Sequence, residues 1–253
     1  IVTYNRKQLL LRCLQAVASQ TRPPDVILLV DNASTDGTAA LLEAEGWLSR
    51  PDVRLLRLDA TLGGAGGFAA GWQQALAEGA DWLWMMDDDG CPAPDCLERQ
   101  LGEAQRRDLD AISPVQADIE NPSQPAFPTF DAHGRAVTQL PLVSANGDAF
   151  IPGHANLFNG LLIRAETVRR IGLPRAELFI RGDEVEYTRR MGLQNVRFGT
   201  LASATFHHPS DRSERHHFLG GLGFARDAGN DFKNYYMFRN KGLAFRENGW
   251  LWM

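Results

Sequence analysis

Three consecutive carboxylates, Asp87, Asp88 and Asp89, follow directly on the run Trp82-Leu83-Trp84-Met85-Met86 and precede Gly90. Five bulky apolar residues in succession read as a strand buried on both faces, ending where the acids and the glycine begin. Three like charges at one point are costly without a compensating cation, and hard oxygen donors at a strand's carboxyl end suit Mg²⁺ or Mn²⁺. An ion held by few protein ligands keeps positions open for phosphate oxygens, so the run points to metal-assisted chemistry on a diphosphate. A solvated acidic loop explains the acids but not the tryptophan-rich strand that leads into them.

A second acidic cluster, Asp183, Glu184 and Glu186, lies within the run Phe179-Ile180-Arg181-Gly182-Asp183-Glu184-Val185-Glu186-Tyr187, ahead of a predicted helix carrying Thr188, Arg189 and Arg190. Acids there favour the helix N-terminal dipole. The same carboxylates serve as a general base if one reaches a hydroxyl within about 3 Å. His207 and His208 follow a strand-like segment at 202–206, and His216 and His217 share a segment read as a mobile loop with Asp211, Arg212 and Arg215. Each histidine has a structural reading beside its reading as a ligand.

These groups need elements to hold them. Residues 1–4 read as the tail of a strand, and 7–19 as a helix with Leu10, Leu11, Leu14, Val17 and Ala18 at helical spacing. Residues 25–30 form a strand ending at Asp31, then comes the polar turn Asp31-Asn32-Ala33-Ser34-Thr35-Asp36-Gly37-Thr38, with capping residues for a helix reaching about Glu45. The cycle repeats with a strand at 53–58, a glycine loop at 63–67, a helix at 68–80 and the strand at 82–86. Alternation of this kind predicts an α/β fold with a mostly parallel central sheet flanked by helices and with ligands beyond the strands' carboxyl ends, where Asp31 and Asp87 both sit. From 111 to 151 scattered prolines predict strands and loops, with a hairpin around Asp131-Ala132-His133-Gly134-Arg135 and a place for acceptor specificity. A strand follows at 155–164, with a short helix ended by Gly172. Trp47, Trp72 and Trp84 read as core.

Composition sets bounds. The chain has 253 residues, 44% hydrophobic and 23% charged, enough for a sizeable core, and its formal charge of −5 argues against nucleic acid as a partner. Cys13, Cys91 and Cys96 are an odd number without zinc-like spacing, which suggests reduced thiols and a cytoplasmic location. No run of about 18 apolar residues predicts a membrane span. The opening at Ile1 reads as mid-strand, which predicts that residues precede it. The segment Leu62-Gly63-Gly64-Ala65-Gly66-Gly67-Phe68 lacks the Lys-Ser/Thr ending of a P-loop and the spacing of a dinucleotide fingerprint. Its glycines serve either close approach to a ligand or tight helix-to-sheet packing.

Taken together, Ile1-Val2-Thr3-Tyr4-Asn5-Arg6, the Asp31 turn, the Asp87-Asp88-Asp89 run, the Asp183-Glu184 pair and the histidines resemble inverting glycosyltransferases of family 2, with the GT-A nucleotide-diphospho-sugar transferase fold, over nearly the whole chain. The resemblance implies a donor site built from Thr3, Tyr4, Asn5, Arg6, Asp31, Asn32, Gly63, Gly64, Asp87 and Asp88, with Asp31 on the nucleobase. It implies a Mn²⁺ or Mg²⁺ site of Asp87, Asp89 and His207, His207 matching the family's position better than His208. The outer acids would share one side of an extended segment. Glu184 takes the position of the catalytic base; this chain has Asp-Glu where the commonest family form is Glu-Asp, so Asp183 remains a candidate. Phe158-Asn159-Gly160 resembles the acceptor or donor-sugar side of the site.

The implied organisation is a GT-A catalytic domain over 1–210, its nucleotide-binding half about 1–110 and its acceptor half about 111–210, followed by a C-terminal loop and helical extension at 211–253. The implied activity is transfer of a sugar from a nucleoside-diphosphate donor of UDP-galactofuranose or dTDP-rhamnose type to a glycan or lipid-linked acceptor in cell-surface polysaccharide synthesis. A noncatalytic sugar-nucleotide-binding module and a sugar nucleotidyltransferase are the alternatives. The aromatic, basic tail Asn234-Tyr235-Tyr236-Met237-Phe238-Arg239-Asn240-Lys241 suits peripheral contact with the inner face of a membrane.

Overall fold

The computed structural model describes the chain except for residues 131–135, 141–149, 211–213, 219–222, 228 and 249–253. Its first half runs β1 (Val2–Thr3), α1 (Lys7–Ala18), β2 (Ile27–Asp31), α2 (Thr38–Ala44), β3 (Val53–Arg57), α3 (Gly63–Ala77) and β4 (Trp82–Met86). β1 pairs with β2 and β2 with β3, both parallel, and a parallel bridge from Val2 to Asp87 brings the end of β4 alongside β1. Asp31 and Asp87 thereby flank the tip of β1 at one edge.

The second half comprises β5 (Cys91–Pro92), α4 (Cys96–Arg106), β6 (Ala111–Asp118), β7 (Thr129–Phe130), β8 (Ala136–Val137), β9 (Phe150–Pro152), β10 (Asn159–Arg164), α5 (Ala165–Ile171), α6 (Asp183–Leu193), β11 (Phe198–His208), β12 (Arg215–Phe218), β13 (Gly223–Arg226) and α7 (Asp231–Asn248). β10 inserts antiparallel between β4 and β6, and β11 lies parallel to β6. β4, β6 and β11 therefore run one way with β10 opposed, and β5 and β9 also pair antiparallel with β11, so β1–β2–β3 is parallel whereas the six-stranded sheet is mixed rather than mostly parallel.

The core follows from the apolar spacing. Leu10, Cys13, Leu14 and Val17 form the buried stripe of α1, and Phe68 and Trp72 of α3 pack with Val2, Val30, Leu83, Met85, Tyr187 and Met191. Burying each large apolar side chain contributes about 1.5–3 kcal/mol. Trp47 and Trp72 are core residues, whereas Trp84 is half-buried and donates its indole N–H to Gln100 Oε1 and the Gly160 carbonyl, both at 3.0 Å.

Three readings change, and a fourth falls outside the described residues. The glycine segment is not a loop: α3 already begins at Gly63. Helix α4 is absent from the sequence reading because Gln100 breaks its apolar stripe. That buried amide satisfies itself on the carbonyls of Ile112 and Gly160, each at 2.8 Å. His216 and His217 stand in β12, paired antiparallel with β13, rather than in a loop. The expected hairpin turn at 131–135 lies outside the described residues, although its flanks β7 and β8 do pair antiparallel. Among the described residues no helix is long and apolar enough to cross a membrane.

Candidate active site

A cleft of about 1420 Å³ opens over the carboxyl ends of β1 and β4. Its walls include Thr3, Tyr4, Arg6, Asn32, Gly63, Gly64, the three acids Asp87, Asp88 and Asp89, and, across the cleft, Asp183, Glu184 and His208. Two acidic clusters about a hundred residues apart in sequence thus face one space.

The chain turns at Asp88 and Asp89, so the strict alternation of an extended segment is not kept. Gly90 makes the turn possible, because a Cβ there would lie 2.1 Å from the ring of Phe206. Asp88 is buried; its Oδ2 accepts from the Thr3 hydroxyl at 2.7 Å and its Oδ1 from Arg6 Nη1 at 3.3 Å. Asp89 Oδ2 accepts from the same Arg6 nitrogen at 2.7 Å, and Asp89 Oδ1 lies 3.1 Å from His208 Nε2. Desolvation, then the charges of Asp89 and Asp88, push the Asp87 carboxyl up to about 8. Burial works against ionisation of Asp89 and His208 alike, but their mutual contact lowers the carboxyl and raises the imidazole.

The histidine beside the acids is therefore His208, not His207, which pairs through its backbone with Cys91 and Ala117 and does not line the cleft. The signal was available in the alternation of β11. Phe206, whose ring backs Gly90, and His208 share one strand face, and His207 points to the other. Among the described residues no group of three or more His, Cys, Asp or Glu side chains already surrounds a point fit for a metal ion. The reason is visible: Arg6 supplies the positive charge at Asp88 and Asp89, and Asp89 leans on His208. The donor types nevertheless fit a divalent cation, since a carboxyl pushed up to about 8 by burial and by two neighbouring acids is relieved by added positive charge.

The donor-side residues divide by what they hold. Asp31 is buried at 1% exposure, accepts from the Ser34 N–H at 2.8 Å through Oδ1, and keeps Oδ2 without a hydrogen-bond partner. A second cavity of about 400 Å³ beside it is lined by Ser34, Thr35, Arg57 and Asp59. Asn32 is committed to protein: its amide donates to the Gly63 carbonyl and accepts from the Leu62 N–H, each at 2.8 Å. Asn5 braces the Asp31 turn by accepting from the Thr35 N–H at 2.7 Å and does not line the main cleft. Tyr4 is 46% exposed at its edge. Among the glycines, a Cβ at Gly63, Gly67 or Gly71 would collide with protein atoms at 2.1–2.8 Å, so these serve packing; Gly64 faces open space in the cleft wall.

Across the cleft Gly182, at φ +94°, starts α6 and delivers Asp183 and Glu184. Asp183 is buried, and desolvation, followed by the charge and hydrogen bond of Glu184, holds its carboxyl well above the usual range. Glu184 Oε2 accepts from the Gly182 N–H at 3.1 Å. The arrangement sets a buried acid, Asp183, beside a second carboxyl group, and both line the cleft. Phe127, tilted on His208 with ring centroids 4.9 Å apart, and Phe232 of α7 also line the space; nothing in their sequence context marked them.

Known proteins resemble this chain in sequence and fold. Residues 1–154 match the family described as glycosyl transferase family 2. Galactofuranosyltransferase GlfT1 of Mycolicibacterium smegmatis is 38% identical over 98% of this chain and 82% of its own length, and the protein of the same name from Mycobacterium tuberculosis is 37% identical over 98% and 82%. The crystal structure of GalNAc-T7 with UDP, GalNAc and Mn²⁺ superposes with a TM-score of 0.67 at 15% identity, covering 95% of this chain, which in turn spans 46% of that one. The sheet flanked by helices agrees with the GT-A fold of that neighbour. The chain belongs to glycosyl transferase family 2 and is a glycosyltransferase.

Proposed function

We propose that this glycosyltransferase moves galactofuranose from UDP-galactofuranose to a glycan or lipid-linked acceptor in cell-surface polysaccharide synthesis, with inversion at the anomeric carbon and with a divalent metal. The observation that carries the chemistry is the single cleft in which Asp87, Asp89 and His208 face the Asp183–Glu184 pair. The identity to two galactofuranosyltransferases along nearly the whole chain supports the choice of sugar.

Each side chain has a role on that reading. Asp31, through Oδ2, which has the Arg57 guanidinium 3.8 Å away but no hydrogen-bond partner, accepts from an N–H of the uracil ring, and Tyr4 packs at the edge of the nucleotide site. Gly64 lets the donor approach the start of α3. Asp87, Asp89 and His208 would hold Mn²⁺ or Mg²⁺, which when bound neutralises charge building on the departing diphosphate. Arg6, already against Asp88 and Asp89, turns its guanidinium to the same phosphates, and Asp88 with Thr3 fixes the floor beneath them. Asp183, its carboxyl held above the usual range by burial and by Glu184, braces Glu184, which takes the acceptor hydroxyl's proton. Attack from that side, opposite the diphosphate, inverts the sugar without a covalent enzyme intermediate. The exposed aromatics Phe232, Tyr235 and Phe238 of α7, with Lys241 near Phe238, support peripheral contact with the inner membrane face where a lipid-linked acceptor would lie.

A donor panel tests the proposal. With Mn²⁺, release of the nucleoside diphosphate is expected from UDP-galactofuranose at a rate at least tenfold above that from UDP-galactopyranose (UDP released) or dTDP-rhamnose (dTDP released). Equal or faster turnover of dTDP-rhamnose would overturn the choice of sugar, and turnover undiminished by EDTA would overturn the metal.

A further inference from the structure

The loop 178–182 that presents Asp183 and Glu184 is held in an unfavourable backbone. Phe179 has φ +64°, Arg181 φ +65° and Gly182 φ +94°, so two residues with side chains sit in the left-handed region within four positions. Such a loop keeps its shape only if its surroundings over-determine it. One support comes from α3, where the Ala65 N–H donates to the Phe179 carbonyl at 3.1 Å across the close approach that Gly63 permits. The other comes from a residue sixty positions away.

Asn240 of α7 is 4% exposed, and its side-chain nitrogen donates to the carbonyls of Leu178 at 2.8 Å, Ile180 at 3.1 Å and Arg181 at 2.6 Å. An amide nitrogen has two hydrogens, so the three carbonyls share them through one bifurcated bond. The amide's direction is fixed from behind: Asn240 Oδ1 accepts from Arg239 Nε at 3.0 Å and Nη2 at 2.8 Å, which leaves the nitrogen facing the loop. Arg239 is itself seated over the Tyr236 ring at 4.5 Å, and Tyr236 stacks on Phe179 at 4.8 Å. A Cβ on Gly182 would sit 3.4 Å from Asn240 Cβ, so the amide lies directly behind the residue whose N–H binds Glu184.

We infer that Asn240 is a positioning residue for sugar transfer, acting through the Asp183–Glu184 pair by fixing the carbonyls of Leu178, Ile180 and Arg181. The inference rests on the proposal that this pair accepts the acceptor's proton. Among the described residues no other side chain combines burial, three loop carbonyls and an orientation set by its own neighbour. Asn240 thereby acts on the pair from behind the loop, without itself lining the cleft. Displacing a reacting group by about 1 Å costs on the order of 100-fold in rate.

The variants Asn240→Asp and Asn240→Ala, assayed by UDP release from UDP-galactofuranose with Mn²⁺, test it. Aspartate keeps the shape but turns a donor toward three carbonyls into an acceptor. The expected result for both is a kcat lower by about 10- to 100-fold with the donor KM within about threefold. Combined with Glu184→Gln, Asn240→Asp should cost less than a further twofold. Amide exchange at 178–182 in Asn240→Ala, read by mass spectrometry, should quicken while β4 and β10 remain protected, a readout needing no turnover. A kcat within twofold of the parent in both variants, a full multiplicative loss on Glu184→Gln, or unchanged exchange at 178–182 overturns the positioning role. Full turnover in Glu184→Gln alone would instead overturn the base assignment beneath it, a separately recognisable result.

Discussion

Asp89 Oδ1 and His208 Nε2 lie 3.1 Å apart, joining the turn after β4 to the last residue of β11. The contact depends on Phe206, two positions earlier on the same strand face, whose ring fills the space that Gly90 leaves. It selects one of two adjacent histidines that the sequence does not distinguish by type.

If His208 belongs to the metal shell, His208→Ala should weaken Mn²⁺ binding about 10- to 100-fold, the range found for losing an ordered ligand partner. His207→Ala should leave it within about twofold. Calorimetric titration of both variants with Mn²⁺ in the presence of UDP makes the comparison. The reverse ranking would return the ligand role to His207.

A pH dependence follows from the same cluster. Asp87, pushed up to about 8, and Asp183, well above its usual range, hold protons in the folded chain that the unfolded chain has already released. Their contribution to stability falls as pH rises. His208, raised by Asp89 against the effect of burial, contributes stability that is complete below its ordinary value and lost as pH climbs through its native one, so its sign is the same. His154 and His207 are lowered by burial and act oppositely, but only below about pH 6.5, where the unfolded chain's histidines charge. Between pH 6.5 and 8 in EDTA the melting temperature should therefore fall, by roughly 4–8 °C for a differential of about one proton. Mn²⁺ should stabilise more at pH 8 than at 6.5. A melting temperature that climbs across this window in EDTA would contradict these assignments.

The glycines opening α3 separate stability from activity. Gly63→Ala places a Cβ 2.1 Å from the Phe179 carbonyl in a backbone of φ +68°, and should destabilise by roughly 2–3 kcal/mol. Gly64→Ala meets nothing within 4 Å and gains helix propensity, so stability should hold or rise by up to about 1 kcal/mol. It narrows the cleft, so the donor KM should climb severalfold. Thermal melts together with donor titration decide, and a stable Gly63→Ala would show that the α3 approach is not a support of the loop.

Much of this arrangement is legible from local pattern. Asp31 and Asp87 announce themselves at strand ends because apolar runs lead into them, and the Asp183–Glu184 pair is placed at a helix start by Gly182. What pattern does not carry is pairing between distant elements. β10 enters antiparallel between β4 and β6, a matter of topology that no run of residues states. α4 stays hidden because Gln100 spends a polar residue on a core position to satisfy two carbonyls. Asn32 and Asn5 read as ligand contacts from their motif; in the structure the Asn32 side chain bonds the backbone of 62–63, and the Asn5 side chain accepts from the Thr35 N–H while its backbone N–H donates to the Ser34 hydroxyl. Asn240 is invisible for the same reason, since its three partners are backbone carbonyls some sixty residues away.

The account's central claim is that one cleft separates a diphosphate-holding side from a proton-accepting side. The most direct measurement is steady-state turnover of UDP-galactofuranose by Glu184→Gln beside its affinity for UDP with Mn²⁺. The account predicts kcat lower by about 10²- to 10⁴-fold, the usual contribution of a general base, with UDP affinity within about twofold of the parent. Undiminished turnover, or loss of UDP binding in parallel with loss of turnover, would contradict it.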